Sequence, residues 1–314
     1  MRALWLNRWG EIRAGWRMLA YGGLAILLAL PALSLYFYAS QAEGGAGPDR
    51  LFTFESLHLF AALCAATLLP ALLMIRWVDK SPVSCLGFAS HERVGIEVLQ
   101  GLVQGAFLVT LIFFIGWGAG WLRVSRSNLL GATAILRTGF YLTYFVLAAA
   151  FEELLWRGYA FQTLVQGTGK VLAVAISAAL FGAAHLANPH ANVFGTMNTV
   201  LAGVWLSAAY LRTRSLWLPT SLHAAWNFSL GFLYGFPVSG RICPETILQI
   251  SPQGPAWITG GDYGPEAGAL GAAVFLAATL YVALTYRIRP AVHAFALWHS
   301  PEKESLSRIS HQVS

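Results

Sequence analysis

The sequence predicts an all-helical, polytopic membrane protein of about eight transmembrane helices enclosing an intramembrane polar cavity. Three observations carry this. Of 314 residues, 57% are hydrophobic and 11% charged, with a mean hydropathy of +0.59. A soluble domain carries about 25% charged residues. Apolar runs near the roughly 20 residues of a membrane helix recur at 18–39, 57–75, 98–120, 138–165, 170–187, 193–211, 216–234 and 267–286. Lysines and arginines also fall unevenly between alternate connections, as they do in proteins oriented by a basic cytoplasmic side.

Taken in order, residues 1–17 are basic and aromatic, a pattern that predicts a segment lying on the inner membrane surface. The first apolar run, 18–39, has the basic flank of a signal peptide but outlasts its 7–15-residue core, so it reads as a retained helix. With the N-terminus inside, the inner segments hold 14 cations: Arg2, Arg8, Arg13, Arg17, Arg76, Lys80, Arg93, Lys170, Arg212, Arg214, Arg287, Arg289, Lys303 and Arg308. The outer segments hold 5: Arg50, Arg123, Arg126, Arg137 and Arg241. That asymmetry predicts both termini in the cytoplasm. It also explains the net charge of +6 without a nucleic-acid partner. Trp5, Trp9, Trp16, Trp77, Trp117, Trp121 and Trp217 lie near span ends, where indoles anchor at the headgroups. The long 235–266 connection, rich in Gly and Pro, predicts an ordered non-helical outer loop. From 288 the chain reads as a polar, mobile cytoplasmic tail, leaving 18–287 as one membrane domain. Cys64, Cys85 and Cys243 are widely separated and read as packing residues.

The fourth span contains "AAAFEELLWRGYAF", with Glu152, Glu153 and Arg157 in an apolar run. An ionisable group at mid-span costs about 2.5–3.5 kcal/mol on insertion scales, which makes it a functional candidate. Glu153 and Arg157 are four apart with the acid first, the favoured helical ion pair. Glu152 points about 100° away and is not explained by that pair. "FGAAH" then places His185 in the fifth span, and "HAAWN" places His223 and Asn227 one turn apart in the seventh. A lone histidine in an apolar helix is more often a packing residue than a ligand, so position decides. Glu152 lies 16 residues before Thr168 in the turn "QGTGK" and His185 lies 17 after it. An antiparallel hairpin puts both about 24–26 Å from the turn. His223, nine residues past Arg214, would be about 13 Å from its own turn, so the levels match only if the hairpin projects about 11 Å farther into the cytoplasm. The constellation would then occupy the inner half of the bilayer.

Two carboxylates, two imidazoles and an amide in a dry pocket suit hydrolysis, which needs a base for water, an acid for the leaving amine and donors for the oxyanion. Burial raises a carboxylate's pKa and suits it to proton exchange. GxSxG is absent and the cysteines are remote, which argues against a covalent nucleophile. A zinc site on Glu152, His185 and His223 is the alternative, although HExxH is absent and an asparagine suits an oxyanion better than zinc. Readings from other classes are a proton-coupled transporter, for which buried Glu, His and Arg are also usual, and a non-catalytic scaffold. No internal repeat of the transporter kind is visible.

Glu152-Glu153-x-x-x-Arg157, Phe181-x-x-x-His185 and His223-x-x-x-Asn227, in this order, resemble the motifs of the CPBP (CAAX protease and bacteriocin-processing, or Abi) intramembrane proteases. That family includes the type II CAAX prenyl endopeptidase. The resemblance covers about 138–234. It implies a helical intramembrane protease of a bacterial plasma membrane, with a cavity open to the cytosol and laterally to lipid. Its substrate would be a membrane-associated protein or peptide. By the same resemblance, Glu152 activates water with help from His185, while His223 and Asn227 steady the oxyanion and Glu153 and Arg157 buttress the site. No cofactor is implied, although the family has been described both as metalloproteases and as glutamate-dependent. The prenylated eukaryotic substrate is not carried over, because nothing in this chain points to a prenyl group.

Overall fold

A computed structural model describes residues 2–7, 10–42, 52–292, 294, 296 and 297. Arg8, Trp9, Arg50 and the tail 298–314, with Lys303 and Arg308, lie outside the described residues. The N-terminal segment is a short helix α1 (Arg2–Trp5) followed by a turn at Gly10 and the start of α2 (Ala14–Ala42). Trp5 stacks on Trp16, and the Trp16 indole donates to the Leu4 carbonyl. Next come α3 (Phe54–Leu73), closed by a π turn at Met74–Val78, and α4 (Val94–Gly118). Strand β1 (Leu122–Arg126) leads to α5 (Gly131–Arg157), α6 (Tyr159–Thr168), α7 (Lys170–Ala184) and α8 (Val193–Thr213). The seventh apolar run forms α9 (Trp217–Phe228), extended by a π turn at Ser229–Leu233. After β2 (Leu248–Pro252) and the short α10 (Ala256–Thr259), the fold ends in α11 (Ala269–Leu284).

Among the described residues, five helical segments are long and apolar enough to cross a membrane: Ala14–Ala39, Phe54–Val78, Val94–Gly118, Gly131–Thr168 and Val193–Thr213. Their outward faces are apolar, with Leu19, Leu27 and Leu35 on α2 and Leu99, Val103 and Phe107 on α4 all exposed. Such a surface suits lipid and marks an integral membrane protein. The other three expected spans are shorter. α7 has 15 residues and is about 22 Å long, below the roughly 30 Å hydrocarbon thickness. α9 and α11 have 12 and 16. They stop short because the 185–192 and 234–268 connections enter the fold there, and irregular backbone at depth is stable when buried in protein.

The fourth expected span is not one helix. α5 ends at Arg157 and α6 begins at Tyr159, with a bend at Gly158 (φ −73°, ψ −130°). A β-carbon at Gly158 would run into the Leu154 carbonyl, so only glycine allows this turn. The hairpin that follows, which the sequence predicts to project into the cytoplasm, is packed into the fold over its first turn and exposed at 167–170. Tyr159, Phe161, Gln162 and Thr163 are fully buried, and Gln162 donates to the Cys85 carbonyl and accepts from the Leu297 amide. Its polar residues are used inside the protein. Of the segment expected to be a polar tail, Ile288, Ala296 and Leu297 are buried.

The expected all-helical chain also carries one antiparallel ribbon, with Leu122 opposite Pro252 and Arg126 opposite Leu248. It joins the two connections at the end of the bundle opposite the basic one. α9 is pressed against α4 at Gly101 and Gly105, where a β-carbon would come within 2.8 Å of the Leu222 amide nitrogen and 2.6 Å of the Leu222 carbonyl oxygen respectively. Small residues four apart are what close helix packing in a membrane requires. That packing sets the position of the face of α9 that carries His223 and Asn227.

Candidate active site

Glu153 is the hub of the polar cluster. Its Oε1 accepts from Arg157 Nη1 at 3.0 Å, one turn on in α5, and lies 2.9 Å from His223 Nδ1 on α9. Arg157 is completely buried, donates through Nη2 to the Gly203 carbonyl on α8 at 3.2 Å, and stands 4.5 Å over the Phe181 ring. Three helices and an aromatic face thus hold one guanidinium. A buried charge needs this degree of compensation.

Hydrogen-bond logic fixes the two imidazoles. His185 Nδ1 is 2.7 Å from the Phe181 carbonyl. A carbonyl can only accept, so Nδ1 carries the proton. His223 Nδ1 faces a carboxylate already paired with arginine and likewise donates. Both rings therefore present Nε2, a lone pair in the neutral form, to the same place. That place is Glu152: its Oε2 lies 4.0 Å from His185 Nε2 and 3.9 Å from His223 Nε2. Glu152 Oε2 has no hydrogen-bond partner among the described residues. Separations near 4 Å are too long for direct hydrogen bonds but suit a shared water.

Glu152, His185, His223 and Asn227 all line one cavity of about 390 Å³. Arg157 and Glu153 stand behind it. All six residues expected from the sequence are thus brought to one locality, although Glu153 is closer to His223 than a purely buttressing role required. Sequence reasoning did not anticipate the Gly203 carbonyl or the polar residues Asn188, Ser239, Arg241 and Glu266 that share the cavity wall. A backbone acceptor carries no letter in the sequence, and the other four lie in connections, where polar residues are ordinary. Glu266 is in fact buried, accepting from the Trp226 indole at 2.9 Å and from both the amide and hydroxyl of Ser239 at 2.6 and 2.9 Å.

The wall of the cavity is drawn from one part of the bundle. Among the described residues, nothing from 74–94, 157–170, 213–217 or 285–297 contributes to it. The cavity extends away from the basic end rather than toward it.

Membrane-length helices converging on a carboxylate and two imidazoles define a polytopic membrane protein with a polar intramembrane site. Residues 134–229 match the family model described as type II CAAX prenyl endopeptidase Rce1-like, and this chain carries an Rce1-like domain of the CPBP family there. All six residues of the cluster lie within the matched stretch. No curated protein matches the chain.

Proposed function

We propose that the protein is an intramembrane endopeptidase that hydrolyses a peptide bond of a membrane-associated protein or peptide with water activated by Glu152. The observation that carries this is Glu152 Oε2, unpartnered among the described residues and facing two Nε2 atoms at 3.9 and 4.0 Å. A water between them can donate one proton to Glu152 Oε2 and the other to one neutral Nε2, and accept from the second ring when its Nε2 is protonated. Membership of a peptidase family supports the same reading.

In the proposed reaction Glu152 takes a proton from the water, whose oxygen bonds to the peptide carbonyl carbon. The resulting oxyanion accepts from the Asn227 amide, and from His223 when its Nε2 is protonated. Glu152 then delivers the proton to the leaving nitrogen as the C–N bond breaks. His185 orients the water through Nε2, held by the Phe181 carbonyl. Glu153 and Arg157 hold His223 in register.

Zinc on Glu152, His185 and His223 was the alternative. Tetrahedral zinc at about 2.0–2.1 Å from each ligand atom brings those atoms within about 3.4 Å of one another, closer than the 3.9 and 4.0 Å found here. No three His, Cys, Asp or Glu side chains among the described residues form a metal-holding group. The reaction is written with water alone, and chelation is its test. Purified enzyme should keep its activity in chelator; full loss with recovery on adding zinc would overturn the metal-free mechanism. For the function itself, membrane proteomes of cells carrying the wild-type chain and Glu152→Ala should differ by an uncut membrane peptide in the variant. Identical proteomes would favour a scaffold, and solute uptake by reconstituted liposomes would favour a transporter.

A further inference from the structure

We infer that Arg241 is a specificity-determining residue, the anchor for a carboxylate of the substrate within a few residues of the bond cut. This rests on the hydrolase reading above and adds a chemical requirement to its substrate. The carboxylate can belong to an acidic side chain or to a peptide C-terminus, and the test below separates the two.

The charges on the cavity wall give the first reason. Among the described residues that line it, Arg241 is the one arginine or lysine, facing a space shared with Glu152 and Glu266. Neither acid is paired with it. Both oxygens of Glu266 are taken by Trp226 and Ser239, and Glu152 faces the two imidazoles. Arg241 is half-buried, and its side chain reaches only Asn188 among the described residues, from Nη2 to Oδ1 over a long 3.4 Å. A guanidinium carries five N–H donors in a fork that fits a carboxylate bidentately. Most of that fork is unclaimed by the described residues.

The backbone under Arg241 gives the second reason. Val238 and Arg241 close a two-residue turn, exchanging amide-to-carbonyl bonds of 2.8 and 3.0 Å. Its central residues, Ser239 and Gly240, both have positive φ, 48° and 82°, as a type I′ turn requires. Such a φ is uncommon for a serine. Glu266 holds it there by accepting from both the Ser239 amide and its hydroxyl. Gly240 donates to the Tyr263 carbonyl at 2.9 Å, and a β-carbon on it would fall 1.9 Å from the Pro189 carbonyl oxygen. Strain that the surroundings impose in this way gathers at ligand clamps. The turn presents one cation in a fixed place.

That place is next to the reacting groups. The Asn188 backbone amide donates to the His185 carbonyl at 3.1 Å, so Asn188 lies a single turn beyond the imidazole that flanks Glu152. A second carboxylate entering beside ionised Glu152 is repelled unless a cation compensates it. Arg241 supplies that cation. If Arg241 served only to tie the two connections through Asn188, a neutral donor would do as well.

The test uses the purified full-length chain in detergent and four pools of quenched fluorescent peptides, each bearing one acyl chain on a randomised neutral core. One pool has a glutamate scanned along an amidated peptide, one a free C-terminal carboxylate and no acidic side chain, one a scanned lysine, and one no charge. The wild-type chain should cut a carboxylate pool about 10-fold or more faster than the uncharged pool in kcat/KM, with the gain in KM. Which of the two carboxylate pools gains names the source. Arg241→Gln should erase the preference, and Arg241→Glu should transfer it to the lysine pool, which a merely structural role would not do. Cleavage without a carboxylate preference, or one that survives in Arg241→Gln, would overturn the anchor alone. Binding of the same pools by fluorescence polarisation, on the Glu152→Gln chain with and without Arg241→Gln, reads the anchor apart from chemistry. Binding that prefers carboxylate through Arg241, without cleavage by the wild-type chain, would keep the anchor and overturn the hydrolase reading. Neither cleavage nor preferential binding would overturn both.

Discussion

Glu153 and Glu152 are neighbours in sequence with opposite environments, and the contrast sets their roles. Glu153 is fully buried, and one of its oxygens serves both Arg157 and His223. Glu153→Gln would leave the Arg157 charge buried without its counter-ion, a loss of about 3–5 kcal/mol by analogy with other broken buried pairs. The expected outcome is a clear drop in melting temperature. The double variant Glu153→Gln/Arg157→Met should recover much of it, because replacing a whole buried pair by apolar groups is often near neutral. A double variant no more stable than the single one would mean that Glu153 acts through His223 alone. The six side chains of the cluster were legible in the sequence because ionisable letters in an apolar run are conspicuous. Phe181 was marked by its place in the motif, whereas the partner at Gly203 was not, since a main-chain carbonyl carries no letter in the sequence.

At the scale of elements, the position of His223 depends on how closely α9 approaches α4. Gly105→Ala would force a β-carbon to within 2.6 Å of the Leu222 carbonyl oxygen and 2.9 Å of the Ala225 β-carbon. Overpacking of this kind costs about 1–3 kcal/mol. Activity should fall together with stability, because α9 carries two residues of the site. Gly139→Ala in α5 is the control: nothing lies within 4 Å of a β-carbon there. It should be neutral or stabilising by up to about 1 kcal/mol. Equal loss of melting temperature in both variants would show that the α4–α9 contact is not what matters. The glycine pair was present in "GLVQG" and could have been read as a packing motif. The break at Gly158 and the early end of α7 were harder to see. An apolar run records only composition, and "FEELLWRGYAF" and "HLANPHAN" stay apolar enough to extend a span past its helix.

For the molecule as a whole, the matching distances of Glu152 and His185 from Thr168 correctly paired two residues whose Nε2 and Oε2 lie 4.0 Å apart. The polar residues of the hairpin that follows have a use inside the protein. Polar residues at a span end were taken as solvated, whereas Gln162 and Gln166 are used to tie α6 to the chain around Cys85 and Leu297. The 235–266 connection, expected as an ordered non-helical outer loop, is held by Glu266, which ties Trp226 on α9 to Ser239 within the connection. Glu266→Gln should weaken three bonds to an ionised acceptor, each of a kind worth about 1.5–3 kcal/mol. Faster proteolysis within 235–266 is the readout, and unchanged protection would remove Glu266 as the anchor. The central claim concerns Glu152, whose Oε2 makes no hydrogen bond to any described residue and so has little part in holding the fold. The most direct test is turnover and melting temperature measured together on purified Glu152→Gln. Loss of a general base predicts turnover lower by about 10²–10⁴-fold at an unchanged melting temperature, whereas near-normal turnover would show that Glu152 does not activate the water.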